Sequence, residues 1–487
     1  MIEQKVKIHD KFSLEIKLSY ATKKSKKNND FIVNTWFFIP NSLDINRFTY
    51  SKSDFYSDLK TNIRLSTPIY LLREIAQGEK TPFLFLEKMF QEVATNPIRR
   101  NKEKYEYHIK MFHNILKSAL RNEIDHIKNN VVVEDRQFLI NSFVENLQII
   151  NQRYRDLRRI INVPTLPEEL INIYLLSDEF MSNLCEQYCF YLIRELENHF
   201  PKEYKKNKAI LLSLIDSEIS YKKKKKYPSF IEDRSVKLGD IIYRRGVLKK
   251  YIESQLFLST RKKKDGLIVE QFLYSMAAGL SMIFATTIAF SFQQKFGNFT
   301  MPFFIALVIS YMLKDRIKEL TRFYLGGKLQ KRLFDHKNAI QINNKQSIGW
   351  CKESFDFVKE DSLPKNVVKY RNRSQIMEVE NRGAEEKIIL YRKLLRLNRE
   401  ELNQVYQQYN ITGISDVIRF NISKMVTKMD NPKIPVYIPK NDSYELIKGD
   451  KLYYLNMVMK FENLKESEYN RYRIVFNRSG IKRVENF

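Results

Sequence analysis

Apolar and polar residues alternate at the start of the chain, where Val6, Ile8, Phe12, Leu14, Ile16 and Leu18 are interleaved with Lys7, Ser13, Glu15, Lys17 and Ser19. A period of two predicts one long half-buried strand or two short ones. A second β-rich run, FIVNTWFFIP at 31–40, follows the basic turn KKSKKNND, and the two runs are expected to form a hairpin. The period then changes. Ser51 or Ser53 can cap a helix through Phe55, Tyr56, Leu59 and Ile63, and Pro68 opens another.

From about residue 81 to 220 the pattern is helical. Leu139, Phe143, Leu147, Ile150, Tyr154, Leu157 and Ile161 recur at steps of three and four, so one stripe faces a partner helix, and Pro164 and Pro167 end it. The next helix, Glu168 to about His199, carries Leu170, Tyr174, Met181, Leu184, Tyr188 and Leu192 on its apolar side. These segments predict a helical bundle. Further on, KDRIKELTRFYLGGKLQKRL reads as a charged helix breaking at Gly326 and Gly327, and residues 336–380 are weakly patterned. GAEEKIILYRKLLRLNREELNQVYQQY and ISDVIRFNISKMVTKM read as amphipathic helices, the second starting near Ser415 or Asp416. The last fifty residues return to strands, with a hairpin turn at Ser479–Gly480.

The centre of the chain departs from all of this. Phe272–Phe292 is a run of 21 residues without a charge, about 31 Å as a helix and comparable to a hydrocarbon core. A second uncharged run of 18 residues, Phe296–Leu313, has Pro302 placed for the first turn of a helix. Only Gln293, Gln294 and Lys295 lie between them. A two-helix transmembrane hairpin is expected, since a buried hairpin of a soluble protein seldom keeps so long an apolar run. Arg261, Lys262, Lys263 and Lys264 precede the hairpin, Lys314, Arg316, Lys318 and Arg322 follow it, and its loop has Lys295 alone. Basic flanks stay cytoplasmic, so both termini are expected in the cytosol, at the inner membrane of a bacterium. The bacterial source is inferred from heavy use of Lys, Asn and Ile.

The 487-residue chain carries a formal charge of +27. Its start, MIEQKVKIHDKF, lacks the apolar core of a signal peptide, and Cys185, Cys189 and Cys351 are too few and too uneven for a disulfide framework. Residues 202–264 hold 19 Lys or Arg against 7 Asp or Glu. There Lys222, Lys223, Lys224, Lys225, Lys226, Arg244, Arg245, Lys249, Lys250 and Arg261 to Lys264 are candidates to bind anionic lipid headgroups, at about 1 kcal/mol each. Val247, Leu248, Tyr251, Ile252 and Leu256 within that stretch predict an amphipathic helix on the bilayer surface. Nucleic acid would accept the same charge, but a membrane explains it more directly.

Local chemistry is sparse. His108 and His113 are five apart and on different faces of a helix, so no metal site is expected from the six histidines. Cys185 and Cys189 share an apolar face and read as core. Asp178 with Glu179, and Glu195 with Glu197, are paired carboxylates with no visible reason to be perturbed. Neither GxxxxGK[ST], GxGxxG nor GxSxG occurs, so no cofactor is called for and no enzyme class emerges. Ala277, Ser281, Ala285 and Ala289, with Ala306 and Ser310, form small-residue edges suited to helix packing. Neither run contains Asp, Glu, Arg or His, which argues against a proton relay.

The expectation is therefore an α+β, mainly α, integral membrane protein. Its parts are a β-hairpin element (1–40), a cytosolic helical domain (41–221), a polybasic segment (222–265), the hairpin (266–313, spans about 272–292 and 296–313), a charged helix (314–335) and an α+β domain (336–487). The expected role is a membrane-anchored protein that binds partners or senses a ligand, neither of which is legible. The alternative is a homo-oligomeric pore or membrane-perturbing effector gated by the two arms, with Ser275, Thr286, Thr287 and Ser291 offering hydroxyls to water.

Overall fold

The computed structural model describes residues 2–23, 25–78, 82–229, 238–297, 300–330, 333–342, 346–372, 386–405, 408–441, 443–463 and 466–487. The N-terminal segment supplies β1 (Ile2–Ile8), β2 (Ser13–Ala21), β3 (Asn28–Ile39), α1 (Lys52–Asp58) and β4 (Leu59–Leu65). Eight helices follow: α2 (Leu72–Gln77), α3 (Phe83–Thr95), α4 (Arg99–Asn129), α5 (Val133–Asp156), α6 (Arg158–Ile161), α7 (Glu168–His199), α8 (Pro201–Lys225) and α9 (Leu238–Glu253). Strand β5 (Ser259–Lys264) leads into the long helices α10 (Leu267–Phe296) and α11 (Met301–Gln330). Then come β6 (His336–Ile342), β7 (Gln346–Val358), α12 (Lys365–Arg371), β8 (Lys387–Asn398), β9 (Gly413–Asn421), β10 (Lys433–Lys440), β11 (Ser443–Asp450), β12 (Tyr453–Asn463), β13 (Glu466–Asn477) and β14 (Gly480–Asn486).

The chain forms two units. One gathers residues 1–64, 258–407 and 412–487; the other holds 65–257 and 408–411. The first is built on an antiparallel eight-stranded sheet of order β14-β13-β12-β3-β8-β7-β6-β5 and a four-stranded sheet of order β1-β2-β9-β4, with β10-β11 a separate ribbon. Between the two sheets lies an aromatic core. Phe37 meets Phe420 at 5.1 Å, and Phe55 of α1 meets Phe355 at 4.5 Å and Tyr391 at 5.4 Å. A capping box fixes α1 at its start, Ser51 accepting from the Asp54 backbone N–H and Asp54 from that of Ser51.

Several expectations are corrected here. The N-terminal hairpin is β1 with β2, turning at residues 9–12, whereas the 31–40 run enters the larger sheet as β3 between β8 and β12. The two segments read as C-terminal amphipathic helices are the strands β8 and β9, each followed by a short helix at Arg399–Val405 and Ser423–Val426. On β8 the buried side is Ile389, Tyr391, Lys393, Leu395 and Leu397; on β9 it is Ile414, Asp416, Ile418 and Phe420. A charge sits in the middle of each inward row and hides the period of two. Lys393 and Asp416 form an ion pair between the sheets, and Lys393 Nζ also lies 3.1 Å from Glu353 Oε1. Tyr391 donates its hydroxyl to Glu353 at 2.6 Å and Asn338 its amide at 3.1 Å. Burial alone would neutralise these groups, but Asp416 and Glu353 keep the Lys393 ammonium charged, and Lys393 with Tyr391 holds the Glu353 carboxyl below its usual range.

Strand makes up about 29% of the protein, so the fold is mixed α+β with large antiparallel sheets and not mainly α. The transmembrane two-helix hairpin is likewise overturned. Among the described residues one helix, α10, is long and apolar enough to cross a membrane. Helix α11 begins only at Met301 and meets its first charge at Lys314, leaving 13 uncharged helical residues. That is about 20 Å, two-thirds of a hydrocarbon core.

In the second unit α7 runs Glu168–His199, the bounds read from the sequence. Residues 408–411 join this bundle, the Tyr409 hydroxyl lying 2.8 Å from His108 Nδ1.

Candidate functional site

Among the described residues strand β5 is the edge of the eight-stranded sheet, and its sequence STRKKK suits that place, because strong charge blocks strand addition. Arg261, Lys262, Lys263 and Lys264, expected to flank a membrane span, are these edge residues. Lys264 pairs with His336 at the end of the β5–β6 ladder, so the chain leaves the sheet and returns to it at adjacent positions. What lies between is the α10–α11 pair.

Gly266 makes the exit. Its φ is +71°, and a Cβ there would stand 2.5 Å from Leu333 Cδ1. Gly266→Ala is expected to lower the stability of this unit by about 1–2 kcal/mol. The measurement is urea unfolding followed by tryptophan emission, since Trp36 on β3 and Trp350 on β7 are the chain's two tryptophans.

The predicted small-residue edges face one another within this pair. Ala277, Ser281, Ala306 and Ser310 are buried, Ala285 and Ala289 are half-buried, and Ser310 Oγ donates to the Ala285 carbonyl at 3.0 Å. Small side chains allow that approach. Near the base, the Arg322 guanidinium lies 5.2 Å from the Tyr274 ring. The two contacts fix the antiparallel register, which sets the charged half of α11, from Lys314 to Arg322, beside Tyr274–Ser281 of α10. The pair is therefore apolar on both helices only at its far end. There the side chains point outward: Ile283 is 64% exposed, Phe290 69% and Phe304 61%. Across the most apolar stretch of α10 only 11% is buried.

At the base lies a pocket of about 630 Å³ between α1, β5 and α10, with Tyr56, Lys262, Leu273, Tyr274, Phe334 and His336 among its walls. Asp335 organises it, accepting from Lys52 Nζ at 2.8 Å, the Tyr56 hydroxyl at 3.0 Å and the Phe355 N–H at 2.8 Å. Burial, then the Lys262 ammonium, holds His336 below the usual imidazole range. Charged groups enter it from both sides, Lys52 and Glu270 from the helices and Lys262 and Lys264 from the sheet edge.

The remaining polybasic residues divide by surroundings. Lys222 is buried in the bundle, paired with Glu186 and donating to Asn183 Oδ1 at 2.9 Å. Arg244 is bidentate on Glu179 at 2.7 and 2.8 Å, and Arg245 reaches Glu186 at 3.2 Å. Lys223, Lys224, Lys226, Lys249 and Lys250 are exposed, and Lys225 is half-buried. Helix α9, expected on a bilayer surface, turns Leu248 and Ile252 into the bundle against Phe180 and Leu184. Val247, from the same predicted stripe, stays exposed.

The paired carboxylates have a setting the sequence did not reveal. Asp178 is fully buried, accepts from the hydroxyls of Tyr221 at 2.8 Å and Tyr227 at 2.9 Å, and lies 3.7 Å from Arg155. Burial pushes its carboxyl up. Arg155 also donates to Glu218 at 2.7 Å, and Glu218 accepts from Ser182 at 2.7 Å. One signal was present: Leu211, Ile215, Glu218 and Lys222 recur at helical spacing, which puts two charges on the buried stripe of α8. Among the described residues, no cluster of His, Cys, Asp and Glu could hold a metal ion. No family model, no curated protein and no solved structure matches this chain.

Proposed function

We propose that this protein works at a membrane, held there by the outward apolar surface of α10, with its helical unit binding partners or a ligand. The observation that carries the reading is the outward apolar surface of α10, fixed to a sheet edge by β5 and β6. Exposed apolar area of that kind is costly in water and is a usual mark of a membrane or protein contact. The outward apolar side of α10 reads as the part against lipid, and Lys314, Arg316, Lys318 and Arg322 as basic residues suited to anionic headgroups. β1 and β14 belong to one unit, which supports reading both termini on one side, the cytosolic face of the inner membrane.

Vesicle flotation of the full chain tests this. Ile283, Phe290 and Phe304 are exposed, so replacing all three by Lys leaves the helix contact intact while adding about 2.5–3.5 kcal/mol per residue to insertion. The wild type is expected to float with anionic vesicles and the triple variant to lose at least tenfold of that fraction. A variant that floats as well as the wild type would sink the reading.

A second reading, assembly of copies through α10 into an oligomer or pore, has its own support. Gln293, Gln294 and Lys295 put a polar tip on the pair, and among the described residues no atom outside its own stretch of helix lies within 4 Å of where a Cβ on Gly279 would stand. Soluble oligomers in the absence of lipid, or dye release from vesicles, would favour it.

A further inference from the structure

A groove of about 510 Å³ runs between α4, α7 and α9 of the helical unit, a volume typical of small-molecule sites. Four cations reach its edge, Lys117, Arg121, Arg245 and Lys249, and among the described residues no carboxylate lines it. Two of the four are already engaged, Lys117 with Glu253 and Arg245 with Glu186. The other two are not: Arg121 has a 3.2 Å contact to the Ser118 hydroxyl, and among the described residues neither it nor Lys249 has a carboxylate partner. The floor is apolar, formed by Phe180 and Leu184, with the half-buried Tyr188 beside them. A ligand here would meet two unneutralised charges at the rim and rings below.

Gly246 is an independent pointer. It lies inside helix α9, where glycine costs about 0.5–1 kcal/mol relative to alanine. It lines this groove, yet among the described residues no atom outside its own stretch of helix comes within 4 Å of the position a Cβ would take. Its smallness serves no packing contact in the bundle. It keeps the groove open.

We infer that this groove binds a small organic phosphate, the doubly charged group held by Arg121 and Lys249 and an aromatic or apolar body lying over Phe180 and Tyr188. Two charges match the two free cations, and a phosphate monoester carries nearly that charge at pH 7. The inference does not depend on membrane attachment, because every residue it uses lies in the helical unit.

The probe is 2-naphthyl phosphate, titrated into the full chain and followed by its own fluorescence anisotropy, with 2-naphthol and inorganic phosphate as controls. Saturable binding is expected, with 2-naphthol at least tenfold weaker. Arg121→Gln with Lys249→Gln should weaken the phosphate at least tenfold while leaving 2-naphthol unchanged, and Gly246→Trp should weaken both by filling the space. Equal helical content and urea midpoints confirm that the variants fold. Strong competition by inorganic phosphate would assign the charge recognition to phosphate alone and overturn the claim for an organic body. Absence of saturable binding up to about 1 mM, or an affinity unchanged in both variants, would overturn the site itself.

Discussion

Replacing Lys393 with Met is expected to destabilise the sheet unit by about 3–5 kcal/mol, the usual cost of stranding a buried charge whose partner has been removed. Lys393 is 2% exposed and lies between two carboxylates, Asp416 and Glu353, that are 1% and 5% exposed. Without the ammonium, both must take up protons or remain buried as anions. Burial already raises the Asp416 carboxyl with Lys393 present, and without Lys393 the folded pKa of Glu353 would also stand above its unfolded value, so stability is present at low pH and lost as pH rises. The deficit of the variant should therefore shrink from pH 7 to pH 5, opposite to most acid effects. Adding Asp416→Asn should recover a large part of the loss, because one stranded charge is removed with its cause. Urea unfolding by tryptophan emission reads the sheet unit alone. A single variant within about 1 kcal/mol of wild type would mean that the pair does not hold the sheets together.

The helical unit is expected to lose stability in mild acid. His108 and His113 are buried on α4, and burial pulls both imidazoles down to about 4. The unfolded values stand near 6.5, so between pH 6.5 and 4 the unfolded chain binds protons that the folded chain refuses. Stability is complete above that window and falls as pH drops through it. At pH 5 the loss is about 2 kcal/mol for each histidine. Asp178, whose carboxyl is pushed up by burial, acts in the opposite sense. His113 donates Nδ1–H to the Ile109 carbonyl at 2.8 Å, and His113→Leu removes its titration at similar volume. In this variant the shift in urea midpoint between pH 7 and pH 5, read by far-ultraviolet circular dichroism, should be about half that of wild type. An unchanged shift would place acid sensitivity elsewhere.

These residues also show what could be read in advance. The bundle was legible because α5 and α7 carry apolar stripes that tertiary contacts reinforce. The strands β8 and β9 were not, because their inward rows include Lys393 and Asp416, and a charge in a core position looks like the polar face of a helix until its partner is known. The same reason hid Lys222: within KKKKK it resembles solvated charge, and only Glu186, 36 residues away, shows otherwise. The apolar centre was visible, but its depth was not. That depends on how α11 registers against α10, a relation no pattern along a single segment contains. The groove depends on residues from three helices, and Gly246, the glycine in the middle of α9, was its one trace.

The position of β3 has a consequence for how the chain assembles. Its neighbours, β8 and β12, begin at residues 387 and 453, so a strand completed within the first 39 residues has both edges unsatisfied until nearly all of the chain has been made. The helical unit lies within 65–257 apart from four later residues and can close while synthesis continues. Helix α10 emerges next, ahead of β6 and the rest of the large sheet. The waiting strand, FIVNTWFFI, is β-rich and uncharged, the kind of exposed segment that templates aggregation. Production in cells is thus governed by how quickly the last hundred residues arrive, and slowing translation over that region is expected to lower soluble yield more than slowing it over the helices.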